Sequence, residues 1–259
     1  MKGGSFAGID GCPAGWLTVE LTIDGSWTAG VFEDLESLWA AYRQAVLLLI
    51  DMPIGLADGS EPRRCDVLAR QLLKPGRASS IFPAPVREVL SATDYAQANA
   101  LQRRLSGRGL SRQTWALVPK IRTLDRLLRQ DEAARLTFRE SHPELCLAQL
   151  FGRPMRSGKK SQAGFDERMA HLRGVYAQAD EVVEELMLRY PRKAVARDDI
   201  VDALVLAVTA WLSEGRPRQL PEGGDGDRLG IQRIIAYYCF LKEERLEKHN
   251  AESLGKLDG

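Results

Sequence analysis

The sequence predicts a mixed α/β fold, and three observations predict it. Short apolar runs rich in β-branched residues fill residues 5–50, helical periodicity dominates after them, and the buried runs end on acids. Alternating strands and helices of this kind make a sheet covered by helices.

Each element follows from its own pattern. Ser5 to Asp10 is apolar up to its closing acid and is the first strand. Trp16 to Ile23 alternates, Asp24-Gly25 is a hairpin turn signal, and Trp27 to Phe32 returns. Leu35 to Gln44 sets Leu35, Leu38, Trp39 and Tyr42 on one helical face. Val46 to Ile50 is wholly apolar and of strand length, which places it inside the sheet, and Asp51 closes it.

The middle changes character. Pro53, Gly55, Gly59 and Pro62 make a loop, Arg63 to Leu73 is helical, and Lys74 to Pro85 is irregular. Tyr95 to Leu105 and Trp115 to Gln130 are helices, the second with Pro119 in its first turn. Arg135 to Glu140 reads as a strand, Pro143 to Leu150 as a short helix, Gly152 to Gly164 as a basic exposed loop, and Asp166 to Arg189 as one or two helices. Asp199 to Leu212 is apolar at nearly every position and is a helix buried on most sides. A turn-rich loop, Pro217 to Gly230, precedes a closing strand, Ile231 to Tyr238. The charged tail 241–259 frays. No linker divides the chain, so residues 1–240 form a single domain with a helical insertion at about 61–135.

Composition narrows the function. A chain of 259 residues with 44% hydrophobic and 27% charged residues buries a core without disulfides or structural metal. Lys and Arg number 36 against 35 Asp and Glu, so the chain as a whole is no polyanion binder, although a local basic surface remains open. Cys12, Cys65, Cys146 and Cys239 form no CxxC pair, which argues against zinc or a disulfide framework and fits the reducing cytoplasm. No signal peptide precedes the first strand, and no apolar run reaches the ~18 residues of a membrane span.

Chemistry gathers where elements end. Asp10 opens the turn Asp10-Gly11-Cys12-Pro13-Ala14-Gly15, whose alternative reading is an Asp bonded to its own backbone. Asp51 follows five apolar residues. Asp199 and Asp202 share one face of the last helix, and with Asp198 they exceed what capping requires. Glu144, after His142 and Pro143, is a fourth acid at a helix start. Acids that converge in this way repel one another unless a hard cation lies among them, which points to Mg²⁺ or Mn²⁺ held by Asp10, Asp51, Glu144, Asp199 and Asp202. The same residues are the catalytic candidates. Arg63, Arg64, Lys120 and His142 are the candidate substrate-binding residues, while Lys159 and Lys160 read as solvated surface. Cys12 lacks a neighbouring His in sequence and is a poor nucleophile candidate.

The order of strand with acid, hairpin, helix, strand with acid, long middle and helix with acid is that of an RNase H-like mixed sheet. The sequence resembles the RNase H-like nuclease family described as domain of unknown function 429. The matching stretches are Gly8-Ile9-Asp10-Gly11-Cys12-Pro13-Ala14-Gly15-Trp16, Ile50-Asp51-Met52-Pro53-Ile54-Gly55-Leu56, Arg63-Arg64-Cys65-Asp66, Phe82-Pro83-Ala84-Pro85, Trp115 to Ile121, His142-Pro143-Glu144 and Asp198 to Ala203. The resemblance runs from about Gly4 to Tyr238 and implies metal-dependent phosphodiester hydrolysis with nucleic acid as the partner. Two other functions remain open: an actin-like phosphotransferase that sets ATP against Asp10–Gly15, and a non-catalytic RNase H-like scaffold. The oligomeric state is open, a homodimer included.

Overall fold

The computed structural model describes residues 4–240. β1 (Ser5–Cys12), β2 (Gly15–Thr22) and β3 (Trp27–Phe32) form an antiparallel meander. Helix α1 (Leu35–Ala41), capped by Asp34 accepting from Ser37 N at 2.7 Å, carries the chain over the sheet. β4 (Leu47–Ile50) then pairs parallel with β1, and β5 (Phe138–Glu140) parallel with β4. The resulting five-stranded mixed sheet has the order β3-β2-β1-β4-β5.

Between β4 and β5 run α2 (Arg64–Leu72), α3 (Tyr95–Ser106), α4 (Arg112–Gln130) and α5 (Glu132–Thr137), with short 3₁₀ turns at Ala78–Ser80 and Arg87–Ser91. After β5 come α6 (Pro143–Phe151), α7 (Gln162–Arg173), α8 (Ala179–Arg189) and α9 (Arg197–Leu212). A small antiparallel pair, β6 (Arg218–Leu220) and β7 (Ile235–Tyr237), follows. No helix among the described residues is long and apolar enough to cross a membrane.

Helices cover both faces of the sheet. Leu47 and Leu49 join Phe6 in the core shared with α6 to α9, while Leu48 and Ile50 join Ala7 and Ile9 in the core shared with α1 and α4. A strand buried on both faces needs apolar residues at every position, which is why β4 lacks alternation. α9 crosses β1 at Gly8. A Cβ there would stand 2.1 Å from Ala203 O and 2.2 Å from Ala207 N.

Several boundaries differ from the sequence expectations. β1 passes Asp10 and continues to Cys12, because pairing with β2 persists to Cys12–Gly15. α4 starts at Arg112, where Ser111 caps it by accepting from Thr114 N at 2.9 Å, so Pro119 lies inside the helix rather than in its first turn. Pro119 is exposed there and, lacking an N–H, cannot donate the helix bond to Trp115 O. Arg135 belongs to α5, and only Phe138–Glu140 is strand. The expected closing strand shrinks to Ile235–Tyr237, which pairs with β6 inside the expected loop. The expected frayed tail lies outside the described residues.

Candidate functional site

Strand parity and register bring the first two acids together. In a strand, alternate residues share a face, so Asp10 looks the same way as Phe6 and Gly8. Asp51 follows Leu47 and Leu49 in the same sense. Pairing of Gly8 with Leu49 and Ile9 with Ile50 makes Asp51 the next neighbour of Asp10, and Asp51 N donates to Ile9 O at 3.0 Å. Both carboxylates therefore face α9. On that helix, Asp199 and Asp202 begin the stripe that continues through Ala203 and Leu206 to Ala207, the residues against Gly8.

These acids line one cavity of about 350 Å³ with Glu144 of α6. Arg77, Ser80, Phe82, Gln113, Leu117 and His142 also line it. Burial raises the Asp10 carboxyl well above its usual range, and Asp51 and Asp202 raise it further. Burial also lifts Asp202 to about 6, with the pull of Lys159 set against the push of Asp51. Asp199 is raised by burial, against a bond from Ala196 N at 3.0 Å.

Each acid is held differently. Gly11 N donates to Asp10 Oδ1 at 2.8 Å, so the turn reading of Asp10 is realised alongside its place in the cavity. Asp199 reaches back to the amide before α9, so it caps the helix while still lining the cavity. Asp202 accepts from Lys159 Nζ at 2.5 Å. Glu144 pairs through Oε1 with the buried Arg168, and its Oε2 is buried with no hydrogen-bond partner. In this arrangement no three His, Cys, Asp or Glu side chains among the described residues stand as a ready metal-ligand group. The donor set still suits a hard cation: carboxylate oxygens dominate the wall, and one buried carboxylate oxygen is unsatisfied.

The basic candidates fare less uniformly. Arg63 is away from the cavity wall and buried, bonding Asp66, Glu140 and the carbonyls of Ile54 and Gly55. Its guanidinium is an internal clamp with no donor left for substrate. Arg64 is exposed on α2 and absent from the cavity wall. Lys120 stands beside the site, yet its ammonium donates to Gly15 O at 2.5 Å and lies 4.4 Å from the Trp16 ring centroid. His142 does line the cavity, with Nε2 3.0 Å from Ser80 O and Nδ1 unpartnered. Cys12 is buried, and burial pushes its thiol up, away from the thiolate a nucleophile needs.

Sequence reasoning missed Lys159 and Arg168. Lys159 sits in an aperiodic basic loop, where no pattern tells an inward lysine from an outward one. Arg168 left a signal: it shares a helical stripe with Phe165, Met169 and Leu172, and a charge among core-facing positions requires a buried partner.

A family profile described as "Protein of unknown function (DUF429)" matches residues 8–225. The chain belongs to the DUF429 family. The DUF429 match spans every carboxylate of the cavity, from Asp10 to Asp202. No match to the chain was found among curated proteins or among solved structures.

Proposed function

We propose that this DUF429 chain is an RNase H-like, metal-dependent phosphodiesterase acting on nucleic acid, with the carboxylate cavity as its active site. The observation that carries the reading is the convergence of Asp10, Asp51, Glu144, Asp199 and Asp202 from two strand ends and two helix starts on one cavity. Support for the fold assignment comes from the strand order: an antiparallel meander extended by two parallel strands.

Asp10, Asp51 and Asp202 are the residues that would hold Mg²⁺ or Mn²⁺, with Asp199 at the rim. Bound there, the ion supplies an activated water and neutralises charge on the phosphate. Glu144, whose Oε2 is buried and unpartnered, would be the base that takes a proton from the attacking water. His142, which lines the same cavity, would accept a substrate hydrogen at Nδ1, since its Nε2 donates to Ser80 O. Arg77 and Gln113 offer the phosphate and sugar hydrogen-bond donors. The actin-like alternative needs free amides in the Asp10–Gly15 hairpin, whereas Ala14 N is already bonded to Ala194 O at 3.1 Å.

The test is cleavage of end-labelled single-stranded and duplex DNA and RNA with Mg²⁺ or Mn²⁺, by wild type and by Asp10→Asn/Asp51→Asn. Cleavage by wild type and its loss in the double variant, at unchanged circular dichroism, is expected. Equal cleavage by both proteins overturns the assignment, and so does the absence of cleavage by wild type on every substrate.

A further inference from the structure

The cavity's negative wall already contains a cation of the protein's own. Lys159 Nζ lies 2.5 Å from Asp202 Oδ2. Asp51 and Asp10 line the same cavity as Lys159. The side chain is 38% exposed and its Asp202 partner 3%, so the ammonium reaches in from the mouth of the site.

The loop that carries Lys159 is fastened on every side. Met155 is buried, and its carbonyl accepts from Arg77 Nε at 2.8 Å. Glu167 of α7 accepts from the amides of Arg156 and Ser157 at 2.9 Å. Ser157 O accepts from Arg168 Nη1 at 3.1 Å, and Arg168 is the residue that pairs with Glu144. α7 also packs against Gly158: a Cβ on Gly164 would stand 1.9 Å from Gly158 O. These contacts aim Lys159 at the carboxylates, while Lys160 next to it is exposed.

We propose that Lys159 is the resident counter-ion of the carboxylate cavity, and that a divalent cation enters by displacing the Lys159 ammonium from Asp202. This rests on the metal-site reading above. It accounts for two facts together: Asp202 is turned towards the lysine, and no ready group of three ligands exists among the described residues. Glu144 Oε2, buried and unpartnered, takes no part in this exchange and keeps the role of base. Once displaced, Lys159 stands at the cavity mouth as a donor for the incoming phosphate, so one side chain first pairs with the carboxylates and then serves the substrate.

Competition makes a specific prediction. A neutral side chain at 159 removes both the ion pair that a metal must break and the charge that repels it. Losing one charge-assisted bond corresponds to a gain in metal affinity of about tenfold or more. Mn²⁺ binding is measured by calorimetry on wild type, Lys159→Gln, Lys159→Met, Lys159→Arg and Lys160→Gln, with folding checked by circular dichroism. Tighter binding by the Gln and Met variants, with Arg and Lys160→Gln near wild type, is expected. A second measurement uses the wild-type protein alone: Mn²⁺ should speed acetylation of Lys159, read by peptide mass spectrometry, as the amine leaves Asp202. If wild type binds Mn²⁺ and neutral variants bind no tighter, or acetylation does not respond to bound Mn²⁺, the counter-ion role is overturned while the metal site stands. If neither wild type nor the neutral variants bind Mn²⁺, the metal-site reading fails, and this inference fails with it.

Discussion

Replacing Arg63 with Met should damage stability rather than substrate binding. Arg63 is 3% exposed, and its guanidinium donates to Glu140 twice at 2.7 Å, to Asp66 at 2.5 and 3.2 Å, and to Ile54 O and Gly55 O at 3.1 and 3.0 Å. Without it, Glu140 keeps only the amide of Ile54 at 2.7 Å, and two buried carboxylates face each other unpaired. Removing one member of such a buried network costs about 3–5 kcal/mol. For a domain of this size each kcal/mol lowers Tm by about 2–4 °C, so the drop is about 6–20 °C. The loss depends on pH in a known direction. Burial already lifts Glu140 from 4.5 to about 6 with Arg63 in place, and removing the guanidinium lifts it further. A raised carboxyl favours the folded state below its unfolded pKa, and that advantage is lost as pH rises through the folded pKa. The variant should therefore be hurt least near pH 5 and most near pH 8. Thermal unfolding followed by circular dichroism across that range provides the assay, with the exposed Arg64→Met as control, expected within about 0.5 kcal/mol of wild type. A Tm loss below about 2 °C at pH 8, accompanied by weaker nucleic-acid binding, would refute the clamp and return Arg63 to the substrate.

Two further outcomes follow from the same geometry. Gly8→Ala should destabilise by more than about 3 kcal/mol or prevent folding, because the new methyl meets backbone atoms of α9 rather than a side chain that can turn aside; recovery of soluble protein with an unchanged urea midpoint would show that α9 can lift off β1. Asp202, raised by burial to about 6, contributes stability that is present below its unfolded value of 3.8 and lost as pH rises to about 6. Metal-free protein should accordingly lose about 3 kcal/mol across that window from this residue alone, and Asp202→Asn should flatten the Tm profile there. Mn²⁺ affinity should fall by about tenfold per pH unit below 6, as the cation competes with the proton on Asp202; calorimetry showing the same affinity at pH 5 and pH 7 would contradict this.

The contrast between Asp51 and Arg63 shows which parts of the site are legible in a chain. Asp51 is readable because five apolar residues in a row require a doubly covered strand, and the acid that ends the run must stand at the sheet's edge. The facing of Asp199 and Asp202 is readable from a spacing of three on a helix. Glu144 is readable from its proline-led helix start. Arg63 is not readable, because a basic pair before a helix looks the same whether its guanidinium meets solvent, phosphate or a buried glutamate 77 residues away. The start of α4 was equally hidden: Ser111 supplies the cap, but the polar first turns of that helix carry no apolar stripe to announce them.

By itself the sequence determined the first four strands and most of the helices, the burial of β4 and α9, and the placing of acids near element ends, because these depend on local periodicity and on chemistry within a few residues. Only the tertiary structure decided the partners: Asp10 beside Asp51 through strand register, Lys159 turned onto Asp202, Arg168 onto Glu144, and Arg63 between Asp66 and Glu140. An ion pair is a contact between residues distant in the chain, and its energy depends on the burial and spacing that packing creates. No local pattern encodes it.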